Sequence, residues 1–113
     1  MTKSIYEIMT CNNVLNKLKE NSVKYSIGTA YKINKLIRQF NEIEDMMHER
    51  WDDMFGEGYV LEQLNENQIL TFNGTLMTAI DVDLFGLKFD DFITEEGMSL
   101  SLSETETLEK FFA

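Results

Sequence analysis

Carboxylates spaced three and four apart are the residues of this chain that come nearest to doing chemistry. Glu44, His48 and Asp52 recur every four residues, which puts them on one face of a helix. Asp45-x-x-His48 has the spacing of half a di-metal carboxylate site. Such a site draws a matching set from other helices, and His48 is the sole histidine. Glu49-x-x-Asp52 would suit a magnesium-dependent nucleotide pyrophosphatase of the all-helical kind. That chemistry needs a companion acidic pair on a facing long helix, and Glu106-x-x-Glu109 sits on a short terminal one. Asp81-Val82-Asp83-Leu84-Phe85-Gly86 starts like a calcium loop, yet Phe85 and Phe92 fall where two of the oxygen ligands belong. The serines have one histidine to share and no supporting context, and no glycine loop is present to cradle a phosphate. Cys11, with no adjacent cation or second thiol, reads as a buried small hydrophobe. No catalytic residue, metal-ligand set or cofactor follows from these patterns, and the expectation is a non-enzymatic protein.

The element that must position most of these carboxylates is one long amphipathic helix over residues 26–55. Ile33, Leu36, Ile37, Phe40, Ile43, Met47, Trp51 and Met54 recur three or four apart, a coiled-coil-like seam. The seam is short, and Arg50 interrupts it, so packing within the chain is expected rather than a free-standing coiled coil. Gly56 should end the helix and Gly58 extend the break. Ahead of it, residues 4–19 carry Ile5, Ile8, Met9, Val14, Leu15 and Leu18 at helical intervals, opened by a Ser4/Glu7 capping box. The polar connection over 20–25 is short enough to make the two helices an antiparallel hairpin.

Residues 59–102 form a mixed segment. Over 69–79, Asn73-Gly74 between apolar runs is a strong β-hairpin signal, whereas Ile69, Phe72, Leu76, Met77 and Ile80 also fit helical spacing. Both readings stay open on local chemistry. Alternation predicts strands near 80–84 and 98–102, and Ser103 with Glu106 predicts a capped closing helix over 103–111. The expected architecture is a single α+β domain over 1–113, mainly α: a helical hairpin with one long helix, a small β element and a short C-terminal helix.

Formal net charge is −10, unevenly distributed. Residues 1–40 carry seven basic side chains against two acidic, and residues 41–113 carry three against eighteen. The hairpin is expected to gather Lys17, Lys19, Lys24, Lys32 and Lys35 into a basic corner. Its far end would present Glu42, Glu44, Asp45, Glu49, Asp52 and Asp53, so the charge asymmetry of the sequence is expected to persist in space. Both ends oppose the helix macrodipole, at a cost of some tenths of a kcal/mol per charge. A solvated face tolerates that cost in salt; a surface built to dock charged partners would select for it. Trp51, Phe55 and Tyr59 fit packing at the helix tip better than a ligand cage, and Trp51 and Phe55 complete the candidate contact set.

A single cysteine excludes a disulfide framework, and no apolar run approaches bilayer-spanning length. The N-terminus has no apolar core of the signal-peptide kind, so a cytoplasmic protein with no membrane partner is expected.

The chain resembles a family of small bacteriophage and prophage proteins. The resemblance is carried by Asn13-Val14-Leu15-Asn16-Lys17-Leu18, Ala30-Tyr31-Lys32-Ile33-Asn34-Lys35-Leu36, the acidic helix closing on Met54-Phe55-Gly56-Glu57, Ile80-Asp81-Val82-Asp83, and Leu100-Ser101-Leu102-Ser103 leading to Leu108 and Phe111. In that family a short helix and a long charged helix precede a mixed segment, an acidic strand and a closing L-S-x-x-x-x-x-L helix. Gly74 departs from the pattern, whose corresponding segment looks helical. The resemblance covers nearly the whole chain and implies a phage-encoded protein without a catalytic motif.

The leading expectation is an acidic binding protein, acting in the cytoplasm of an infected bacterial host, that inhibits or modulates a host protein. Imitation of nucleic-acid charge against a basic, nucleic-acid-binding partner is the mechanism weighed, with no direct contact to nucleic acid. One alternative is a virion or assembly accessory that forms homo-oligomers through apolar helix faces and opposed charged ends, with another phage protein as partner. The other is the metal-dependent pyrophosphatase-like enzyme.

Overall fold

The computed structural model describes all 113 residues. Its spine is a helix of 29 residues, α2 (Ile27–Phe55), preceded by α1 (Ile5–Glu20). At about 1.5 Å per residue α2 is ~43 Å long, close to the longest dimension of the molecule, 48 × 25 × 23 Å. The radius of gyration of 15.8 Å exceeds the ~13 Å of a compact chain of this size. The chain is therefore elongated along α2.

Local chemistry explains both helix starts. Ser4 Oγ accepts from the Glu7 N–H at 3.1 Å, and Glu7 Oε1 accepts from the Ser4 N–H at 3.0 Å. The second bond holds the Glu7 carboxyl below its ordinary pKa. Ser26 accepts from the Thr29 N–H to open α2, and Gly56, at φ +94°, ends it in a conformation that favours glycine. The antiparallel hairpin buries Ile8, Cys11, Leu15 and Leu18 of α1 against Ile33, Leu36, Ile37 and Phe40 of α2. Burial pushes the Cys11 thiol far up in pKa, which makes it inert.

The remaining elements are α3 (Glu66–Leu76), a two-stranded antiparallel sheet of β1 (Thr2–Ser4) and β2 (Ala79–Asp81), and α4 (Leu102–Phe111). Single 3-10 turns lie at Leu61–Gln63 and Phe89–Phe92. Val82, Leu87, Phe92, Leu108, Phe111 and Phe112 close the main core, with the Phe40 and Phe111 rings edge-to-face at 5.6 Å. A second cluster of Ile5, Met47 and Trp51 lies farther along α2, covered by Phe55, Tyr59, Phe72 and Leu76. Mainly helical α+β architecture, with a helical hairpin and a small β element, is what the sequence patterns led us to expect.

The choice left open over 69–79 falls to the helix, and three local expectations are corrected. Asn73-Gly74 makes no hairpin, because it lies inside α3. An Asn65/Gln68 capping box starts that helix, and Phe72, Thr75 and Leu76 anchor it on the second cluster; together these outweigh the ~1 kcal/mol that glycine costs. Residues 98–102 form no strand. Met98 and Leu100 do turn inward, but the Met98 and Ser99 carbonyls accept from the Asn21 side chain and no strand lies alongside. The predicted 80–84 strand is realised only at 79–81, paired with an N-terminal strand too short to show a period. Finally, α4 is capped by Ser101 with Glu104, not by Ser103 with Glu106, whose carboxylate pairs with Lys110 instead.

A Cβ built on Gly74 meets nothing within 4 Å. Gly74→Ala should therefore stabilise the protein by about 0.5–1 kcal/mol, read as a higher denaturant midpoint at constant slope. A lower midpoint would show that the glycine serves a need beyond the helix.

Candidate partner-binding surface

The second half of α2 presents a stripe of carboxylates. Asp45, Glu49, Asp52 and Asp53 follow Glu42 by three, seven, ten and eleven residues, which confines all five to an arc of about 100° on the helix. Phe40, Met47 and Trp51 occupy the opposite side and are buried, while all five acids are exposed. None is in an ion pair: the salt bridges are the Met1 amino group with Asp81, Lys17 with Glu104 and Lys110 with Glu106. Arg50 is the one cation on this half; it lies three residues before Asp53, at the edge of the stripe, and borders a groove with Met46, Thr75, Thr78 and Ile80. The five carboxylates thus repel one another along ~16 Å of helix, with Arg38 one turn before Glu42 and Arg50 three residues before Asp53 as the neighbouring cations and neither in an ion pair with them.

The other members of the expected contact set are placed differently. Glu44 faces α1, half-buried, where its Oε2 accepts from Asn12 Nδ2 at 3.0 Å. Asn12 also donates to Asn41 Oδ1 at 2.9 Å, is 1 % exposed, and leaves its own Oδ1 without a donor. Trp51 is not part of the surface. It is 1 % exposed, its Nε1 donates to Thr75 Oγ1 at 2.8 Å, and Phe72 and His48 pack on its ring at 4.7 and 5.3 Å. Ile5 of α1 joins Met47 and Trp51, so the N-terminal hairpin also covers part of this half of α2. Phe55 is half-buried against Tyr59 and Phe72. Tyr59 has a raised pKa, mainly from burial and further from the nearby Asp52 carboxylate.

The residues with metal-like spacing do not converge. No group of three His, Cys, Asp or Glu side chains comes together as a cation site. Glu49 and Asp52 point away from the core, whereas Glu106 and Glu109 belong to α4, which packs on α1.

At the hairpin end the basic corner is only partly free. Lys17 donates to Glu104 at 2.9 Å, and Lys35 stacks over Phe85 and Tyr31. Lys19 borders a cleft with Asn34 and Arg38, while Lys24 and Lys32 are exposed. The C-terminal segment folds back over this end, held by Tyr25 Oη donating to the Phe92 carbonyl at 2.9 Å and by Asn21 on Met98 and Ser99. Residues 85–104 bring five carboxylates and one lysine with them. Of the five lysines expected at the basic corner, Lys17 is thus held by Glu104 and Lys35 lies over aromatic rings, while Lys19, Lys24 and Lys32 stay exposed.

Sequence reasoning missed an apolar groove beside the acidic end. Leu61, Glu62, Leu64, Ile69, Phe72 and Asn73 line about 290 Å³ between the 3-10 turn and α3. Val60, Leu61, Ile69 and Leu70 are 46, 47, 42 and 69 % exposed. The missed signal was the Asn65-x-x-Gln68 box: once α3 starts at Glu66, Leu70 falls outside the face that carries Phe72 and Leu76, and Ile69 shares that face one turn earlier, beyond the Trp51 cluster. No helix is long and apolar enough to cross a membrane. Comparison with family models, curated proteins and solved structures finds no match, so the functional reading rests on the chemistry of this surface.

Proposed function

We propose that the chain is a phage-encoded, non-enzymatic binding protein that acts in the cytoplasm of an infected bacterium. Its acidic half of α2 docks on a basic, nucleic-acid-binding protein of the host and inhibits or modulates it by standing in for a phosphate backbone. The observation that carries this reading is the stripe of Glu42, Asp45, Glu49, Asp52 and Asp53, exposed and in no internal ion pair. Five charges over ~16 Å of helix give one charge per ~4 Å, close to the ~3.4 Å of one DNA strand. Rigidity adds to the match, because the stripe lies on a helix fixed by the Met47 and Trp51 cluster beneath it.

The test is capture from bacterial lysate on the immobilised chain, followed by displacement with single-stranded DNA. A basic protein should be retained at about 50 mM salt, released near 500 mM, and displaced by DNA. Replacing the five acids together with Asn or Gln should abolish the capture. Retention unchanged by that replacement, or indifferent to DNA, would remove the phosphate-mimic reading.

A further inference from the structure

We infer that the groove between the 3-10 turn at Leu61 and α3 seats the apolar side of a basic amphipathic helix on the partner, with Glu62 and Glu66 at its rim holding that helix's cations. This deepens the proposed function and rests on its reading of the partner as a basic protein. The groove is apolar within and acidic around. Leu61, Leu64, Ile69 and Phe72 line it, none of the residues of α3 is buried, and Glu62 and Glu66 are exposed beside it. Residues 41–77, which build this end of the molecule, carry nine carboxylates and one arginine. An occupant must therefore bring apolar side chains and positive charge on one element. Nucleic acid and anionic lipid bring the wrong sign. A second copy of this chain is less suited, since Lys17 and Lys35 of its basic corner are already engaged by Glu104 and by the Tyr31 and Phe85 rings. An amphipathic helix with Lys or Arg flanking a Leu or Phe stripe supplies both requirements, and helix-in-groove docking is a common way for such a segment to bind.

Two fluorescent peptides of about four helical turns test the inference by anisotropy with the full chain. One is a Leu/Lys helix with its leucines on one face, and the other has the same composition with the leucines scattered. The amphipathic peptide should bind about tenfold tighter or better, the value of one well-buried leucine side chain, and should keep that advantage in high salt. Leu61→Ser with Ile69→Ser should bring the two peptides to equal affinity; both residues are exposed, and an unchanged circular dichroism spectrum would show that the fold is intact. Equal binding of the two peptides by the parent chain would overturn the groove, as would an advantage that survives the serine replacements. The five-acid variant separates the two readings. It retains Glu62, Glu66 and the groove, so the preference for the amphipathic peptide should survive even if the phosphate-mimic reading fails.

Discussion

Trp51→Ala should cost about 3–5 kcal/mol, the range for deleting a large buried aromatic side chain. Trp51 carries the second cluster: it is 1 % exposed, it supports Phe72 of α3 at 4.7 Å, and its Nε1 donates to Thr75 Oγ1. A cavity in the main core could be partly filled by residues closing in from α1, α2 and α4. Here the cover is α3 together with Phe55 and Tyr59, and α3 has no buried residue of its own to hold it. The variant should therefore lose α3 before the rest. Amide exchange should speed up over Glu66–Leu76 while α1 and the first half of α2 stay protected. Trp51→Phe should lose less, keeping most of the contact area and giving up the hydrogen bond, about 1 kcal/mol. Exchange in α3 as slow in Trp51→Ala as in the parent would show that the helix is held by something else.

Asn12→Asp is the second large effect, and it carries a pH signature. Asn12 is buried at the α1–α2 interface and donates to Asn41 and Glu44. A carboxylate there would lose both donations, desolvate a charge and face the Glu44 carboxylate, so its folded pKa must rise above the unfolded value near 4. An acid with a raised folded pKa destabilises above its unfolded pKa, and the penalty fades as pH falls through the folded pKa toward the unfolded one. Near neutral pH the cost should be about 3–5 kcal/mol, that of an uncompensated buried charge. Toward pH 4 the variant should approach the parent, because a protonated carboxyl can again donate to Glu44. Urea midpoints across pH 4–8 check this, and a gap between variant and parent independent of pH would refute it.

The two long helices were legible because two signals agree in each. Apolar residues recur with the helical period, and Ser4, Ser26 and Gly56 mark starts and stops with side-chain or φ chemistry that acts locally. Residues 59–102 were not, because there the local signals disagree with the packing. Asn73-Gly74 is a good turn in isolation, yet what decides its fate is Trp51, more than twenty residues earlier, accepting Phe72 and Thr75. Residues 98–102 alternate as a strand does, and Met98 and Leu100 do turn inward. A strand also needs an edge to pair with, which no pattern within five residues can report. Two Ser-x-x-Glu boxes overlap at Ser101 and Ser103, and Lys17 arriving from α1 favours the first by bonding Glu104. The acidic stripe was visible as composition, and helical phase alone sets Glu44 apart from the other five. The groove was not visible, since half of it belongs to a 3-10 turn whose place depends on α3.

The small sheet has a consequence for the order of assembly. It joins Thr2–Ser4 to Ala79–Asp81, so it cannot form until most of the chain exists. The α1–α2 hairpin needs only its own 51 residues, from Ile5 to Phe55. At a synthesis rate of roughly 5–20 residues per second, the hairpin and its carboxylates leave the ribosome seconds before the residues that complete the sheet. A nascent chain would thus display the charged half of its surface before the apolar half, and a partner that needs both would meet a competent binder only after α3 has emerged and packed on Trp51.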